Sequence, residues 1–309
     1  MAPGTAILAA GVLMSQLSAA FAEPSTRPAP LAEALPPPFR IGSEAHKRAM
    51  CGVLIDTFDP YKPAVLAWPK LSADARKRLT DLPFWDVAVQ TEGYASSRMQ
   101  AMADGQSDPL VKEAIGLNAF EEGRHKLVIR NMLRFYGIPF EDDQPYGAPK
   151  NPEAAFLQTG YGECFDSFFA FGLFKMAKDS GYFPAELVDV FEPVVQEEAR
   201  HIMFFVNWVA WRAAGKSFVP RIWFRARCLL ALFQAGIGRL SLAGAADGGK
   251  GGDNFVAAGG ETLTVGLTPR ALLEVALAED RRRMERYDAR LLRPRIMPFV
   301  AGIALRFLR

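Results

Sequence analysis

Cysteine and histidine are scarce in this chain, with three of each among 309 residues. The cysteines, Cys51, Cys164 and Cys228, are odd in number and far apart, which argues against a disulfide framework and against a cysteine-based zinc site. Net charge is nearly absent as well. Thirty-six basic residues offset 34 acidic ones, a formal +2, so no whole-chain field is available to hold nucleic acid. No run reaches the roughly 18 apolar residues needed to span a bilayer; the nearest, Cys228 to Gly244, is broken by Gln234 and Arg239. Alternating β-branched residues with turn pairs are sparse, so strands are few. The Gly-rich stretch from Gly244 to Gly260 lacks the GxxxxGK[ST] pattern that cradles phosphate, and no flavin or nicotinamide fingerprint is visible. Half the residues are hydrophobic and 23% are charged, which excludes wholesale disorder.

What is present is helical patterning. Four strong helices are expected between Pro83 and Gly215: Pro83 to Asp104, Asp108-Pro109 to Gly137, Asn151-Pro152 to Gly181, and Pro184 to Gly215. Proline opens each and glycine closes each, the expected asymmetry, and Pro193 should kink the fourth. A fifth is expected over Val219 to Leu242 and a sixth from Thr268-Pro269 to Leu292. Short connections suit an antiparallel bundle with accessory helices, an all-α fold. The expected divisions are an arm over 1–40, a bundle over 41–215, and accessory helices with a basic amphipathic tail over 216–309. Within the arm, Glu23 to Phe39 is proline-rich. Residues Ala6 to Phe21 read either as a signal-like segment without a basic start or as residues upstream of a true start at Met14.

Two of the three histidines sit in near-identical surroundings. Phe120-Glu121-Glu122-Gly123-Arg124-His125 and Gln196-Glu197-Glu198-Ala199-Arg200-His201 each contain Glu-x-x-His. On a helix, positions i and i+3 share a face, so Glu122 with His125 and Glu198 with His201 each make a two-toothed ligand. Both pairs lie in apolar stripes: Ile115, Asn118, Ile129, Met132 and Tyr136 around the first, Leu187, Phe191, Val194, Phe205 and Trp208 around the second. Charged groups there are costly unless something pairs with them. The other two long helices each offer one mid-helix carboxylate with uncharged neighbours, Glu92 and Glu163. Four carboxylates offset two divalent cations, and imidazole plus carboxylate suits iron or manganese.

This order, Glu92, Glu122/His125, Glu163, Glu198/His201, resembles the ferritin-like di-iron carboxylate superfamily over roughly Pro83 to Gly215. The Glu-Glu-x-Arg-His form looks more like its O2-activating members than its iron-storage ones. The resemblance implies a ferritin-like antiparallel four-helix bundle holding two Fe ions, with Mn an option at either site. Glu122 and Glu198 would bridge the metals, and Glu92 and Glu163 would cap one each. Glu121 and Glu197 either orient metal-bound histidines, as in some proteins it resembles, or are surface carboxylates, with Arg124 and Arg200 either pairing with these acids or facing solvent. Small residues beside the single glutamates (Ala88, Ala95 and Ser96; Gly160, Ser167 and Ala170) leave a cavity or allow close helix packing. Tyr94 and Tyr161 read as core or redox residues, and Asp166 as an additional acid near the site. Nothing in the pattern uses His46.

The implied activity is that of an oxidoreductase that uses O2 to hydroxylate, desaturate or oxidise an apolar small molecule, with electrons from an external donor. The alternative is a ferroxidase or peroxide-scavenging protein without organic substrate. The expected location is cytoplasmic, and a homodimer is compatible with the pattern. From Arg281 to Arg309, nine arginines face only Glu285 and Asp288. Such a tail either contacts an anionic membrane or a partner, or packs on its own domain with arginines in water.

Overall fold

Caps set the helix bounds. The computed structural model describes residues 39–59, 66–82, 84–141, 146–245 and 268–308. The proline-rich arm, its signal-like segment and most of the Gly-rich stretch fall outside them. Among the described residues the chain is all-α, with no strand. The elements are α1 (Glu44–Ile55), α2 (Ala73–Thr80), α3 (Trp85–Asp104), α4 (Pro109–Tyr136), α5 (Pro152–Asp179), α6 (Ala185–Ala214), α7 (Phe218–Ala245), α8 (Pro269–Met284) and α9 (Ile296–Ala304). Asp108 accepts from the Leu110 and Val111 amides at the start of α4, and Asn151 from Ala154 at the start of α5. Each satisfies donors the helix leaves unpaired. Gly137 closes α4 with φ +66° while the Ile138 amide reaches the Leu133 carbonyl at 2.8 Å, a turn that favours glycine.

α6 runs through Pro193, which is exposed. The helix expected to reach Leu292 ends at Met284. Arg293 draws the carbonyls of Tyr287, Asp288 and Leu291 onto its guanidinium, and Leu292 bonds the Asn207 side chain through both backbone groups. Those tertiary bonds displace the i→i−4 ladder. α1, α2 and α9 are additions to the expected set, each too short to carry a strong periodic signal.

Contacts between helices fix their directions. α3 meets α4 at Glu92–His125 and again at Ser96–Ala119, so the two run antiparallel. α5 meets α6 at Glu153–Arg212, Ser167–Glu198 and Phe174–Phe191, also antiparallel. α4 and α6 face each other through Glu121–His201 and His125–Glu197. One buried cluster draws on α1 and α3 to α8, from Met50 and Leu54 through Met99, Ile115, Phe156 and Trp208 to Phe224 and Met284. His46 on α1 is part of the packing. Its Nδ1 accepts from the Gly42 amide and its Nε2 donates to Asn207 Oδ1 at 3.1 Å, and burial depresses its basicity.

Candidate metal centre

All six residues marked by the sequence pattern come together between α3, α4, α5 and α6. One ligand atom each from Glu92, Glu122, His125 and Glu198 lies within 4.8 Å of the others, and so does one each from Glu122, Glu163, Glu198 and His201. Glu122 and Glu198 belong to both groups. The arrangement is therefore two adjacent positions, each with three carboxylates and one imidazole, sharing two carboxylates. The expected stripes explain how they arrive there. Every named residue of the α4 stripe is buried; on α6 the stripe is buried except at Phe191, Val194 and Glu198, which line a cavity.

The histidines are turned by partners behind them. His125 Nε2 meets Glu197 Oε2 at 2.7 Å, and His201 Nε2 meets Glu121 Oε2 at 2.8 Å. Each orienting glutamate belongs to the other motif, so the two helices are cross-tied. Arg124 donates to Glu197 at 2.5 Å and to the Asp59 carbonyl at 2.6 Å. Arg200 donates to Glu121 at 2.5 Å and to the Thr57 carbonyl. Both arginines face these acids and not solvent. The orienting glutamates and their arginines balance in charge, which leaves the two imidazoles as the basic groups against the inner carboxylates.

The inner atoms are less well matched. His125 Nδ1, His201 Nδ1, Glu122 Oε1 and both oxygens of Glu163 are buried with no hydrogen-bond partner. His201 Nδ1 lies 2.8 Å from Glu122 Oε1 and His125 Nδ1 lies 3.1 Å from Glu198 Oε1, yet neither contact has hydrogen-bond geometry. Buried polar atoms without partners are rare and cost free energy. Here they converge on one space, and imidazole nitrogens beside carboxylate oxygens are a donor set that could hold a cation.

Electrostatics of the metal-free cluster agree. Burial pushes Glu92 up to about 8, the Glu122 and Glu198 charges adding to it against the His125 bond. Burial and the Glu122 charge raise Glu163 well above the carboxylate range. Burial opposes ionisation of Glu122, but the His201 and His125 rings against it hold it down to about 2. Both histidines are burdened by burial and still raised well above their ordinary value, His125 by Glu197 and Glu198, His201 by Glu122 and Glu121. Without metal the cluster retains protons to moderate its negative charge.

A cavity of about 910 Å³ opens on this cluster, with Glu92, Glu122, His125, Glu163 and Glu198 in its wall. Along α5 its lining extends from Gln158 to Ala177, roughly 28 Å at 1.5 Å per residue. Glu163 stands about 8 Å from one end and about 21 Å from the other. The short end is polar, with Arg98, Gln158, Thr159 and Gln234; the long arm is apolar, with Phe84, Ile129, Phe174, Phe183 and Leu187. Of the small residues flanking the single glutamates, Ala88, Ala95, Ser167 and Ala170 line this space. Ser96 bonds the Ala119 carbonyl, and a Cβ on Gly160 would stand 2.3 Å from the Phe205 ring. Asp166 lines the cavity but joins neither ligand group. Tyr161 packs edge-on against Phe205, and Tyr94 is exposed beside Tyr146.

The carbonyls of Thr57 and Asp59, which hold the arginines, carry no sequence signal, because any residue supplies a carbonyl. That Glu121 and Glu197 point away from the ligand stripe follows from their position one residue before it; which histidine each meets does not. No family model, curated protein or solved structure matches the chain.

Proposed function

We propose that α3 to α6 form a ferritin-like antiparallel four-helix bundle that holds two iron ions, and that the protein is an oxidoreductase using O2 to oxidise an apolar small molecule. The observation that carries this reading is the pair of overlapping ligand groups, each Glu3His, sharing Glu122 and Glu198. Glu92 and His125 would complete one metal position, Glu163 and His201 the other, with manganese an option at either. When bound, the metals would supply the O2 reduction and substrate oxidation that side chains alone do not.

The chain's own residues set the conditions. Glu197 and Glu121 hold each imidazole with Nδ1 facing inward and raise its basicity as a ligand. Arg124 and Arg200 fix those glutamates and balance their charge. The apolar arm keeps water from the carboxylates and binds substrate beside them, and its length fits an organic molecule. Insertion of one oxygen atom consumes two electrons and two protons, the second oxygen leaving as water. The electrons come from an external donor, for which a reductase or small iron–sulfur protein suffices.

Metal content and optical spectroscopy test the reading. Protein purified without air and reconstituted with Fe(II) should retain close to two irons per chain, and O2 should then raise an oxo-bridged absorption. Glu122→Ala should lose both irons, because that carboxylate serves both positions. Near-zero iron and manganese after reconstitution would sink the proposal.

A further inference from the structure

The surface of α7 is unlike that of any other long helix. Its buried stripe, Phe224, Cys228, Ala231 and Ala235, packs on the α5–α6 side of the molecule. The opposite stripe is equally apolar and faces outward: Phe218, Ile222, Trp223, Leu229, Leu230 and Phe233 are all more than half exposed, Trp223 at 70% and Phe233 at 67%. A helix that is apolar all round requires cover on both sides. α9 repeats the pattern beside it. Met297 and Ala301 are buried, while Phe299 is 68% exposed and Phe307, three residues past the helix end, 80%. The two helices meet the same part of α5, where Phe165 lies under Gly236 of α7 and packs with the cluster of Met297 and Ala301.

Charge selects the occupant. No aspartate or glutamate occurs between Glu198 and Asp247, or after Asp288. On the helical wheel Arg221 and Arg225 flank the outward stripe of α7 on one edge and Arg227 on the other. Arg221 donates to the carbonyls of Ala213, Ala214 and Lys216, and Arg227 pairs with Glu153. Arg225 has no acidic partner among the described residues, and Arg295 and Arg306 are exposed on α9's side. A second copy of this face would set arginine against arginine, and the carboxylate at its edge, Glu153, is already held by Arg212 and Arg227. Anionic lipid supplies both missing partners: acyl chains for the aromatics and phosphates for the arginines. Among the described residues no helix is long and apolar enough to cross a membrane, so α7 is suited to lie in the interface.

We infer that α7, with α9 beside it, docks the protein on an anionic bilayer surface, its outward aromatic stripe entering the acyl boundary and Arg225, Arg295 and Arg306 meeting lipid phosphates. The arginines of 281–309 serve this less than their number implies. Arg283 is buried against Glu192, and Arg282 and Arg290 are tied to Glu279 and Asp288. Gln234 and Ala235 of α7 also form part of the cavity wall, which brings the polar end of the cavity to the docking helix. The inference stands on the surface alone and does not require metal.

Co-sedimentation of the full-length protein with vesicles tests it. The protein should pellet with phosphatidylcholine vesicles containing about 30% phosphatidylglycerol, and about tenfold less with phosphatidylcholine alone or at high salt. The double substitution Trp223→Gln/Phe233→Gln should weaken recovery about tenfold or more, and Arg225→Gln a few-fold, with circular dichroism melting unchanged in both. Glu122→Ala protein should still pellet, which separates this inference from the metal reading. Two results would overturn it: wild-type protein staying in the supernatant with anionic vesicles, including when it runs as a dimer whose interface is this face, or the double variant pelleting as well as wild type.

Discussion

The interior between α4 and α6 and the outer face of α7 invert the usual distribution of side chains. The first buries three carboxylates, two arginines and two imidazoles and holds three more carboxylates half-buried beside them; the second exposes a row of large apolar side chains. Each arrangement costs stability in isolation. They differ in how far the chain answers its own cost. Around Glu121, Glu197, Arg124 and Arg200 every charge has an opposite one at hydrogen-bond distance. The inner carboxylates are answered only in part, by two imidazoles and the Ser167 hydroxyl, and the outer stripe of α7 has no cover among the described residues. On the readings proposed above, a cation would answer the first and anionic lipid the second.

The sharpest way to break that contrast is to disturb the self-satisfied part. Arg124→Ala leaves Glu197 and its bond to His125 without a buried cation, so it should destabilise the protein by about 3–5 kcal/mol in denaturant unfolding. A loss below ~1 kcal/mol would mean the cross-tie contributes little. The next effect concerns the inner groups. Glu92, Glu163, His125 and His201 all hold protons more tightly folded than unfolded. Their contribution is complete below the unfolded values and is lost as pH rises through the folded ones. Glu122 and Glu197, held low, are already ionised in that window and do not oppose it. Metal-free protein should therefore melt several degrees lower at about pH 8.5 than at about pH 6, and reconstituted protein should lose most of that dependence because cations replace the protons. Equal slopes with and without metal would contradict this. The smallest effect belongs to the outer face. Trp223→Gln/Phe233→Gln should change stability by less than about 0.5 kcal/mol, since exposed side chains contribute little to the isolated fold; a large loss would show that the stripe is covered by the chain itself.

Much of the site was legible in advance because its information is local. Glu122 with His125 and Glu198 with His201 share a helix face by spacing alone, and Pro109, Pro152, Gly137 and Gly215 mark helix ends through their own backbone preferences. Glu92 and Glu163 were visible as lone carboxylates in uncharged surroundings. Less legible was what depends on partners far along the chain. The early end of α8 follows from Asn207 and Arg293, and the short helices α1, α2 and α9 are held by contacts and caps more than by periodicity. The outward face of α7 was hidden as well, because an apolar helix reads the same whether one side or both sides are covered.

The sequence by itself determined the helical class, the main helix bounds and which side chains share a face, since all three follow from spacing and from residue-level backbone preferences. Only the tertiary structure decided that the six candidate ligands converge, that each motif's glutamate holds the other motif's histidine, and that α7 turns an apolar stripe to the outside. Those are distances between residues far apart in the chain, fixed by how helices pack, and local periodicity does not contain them.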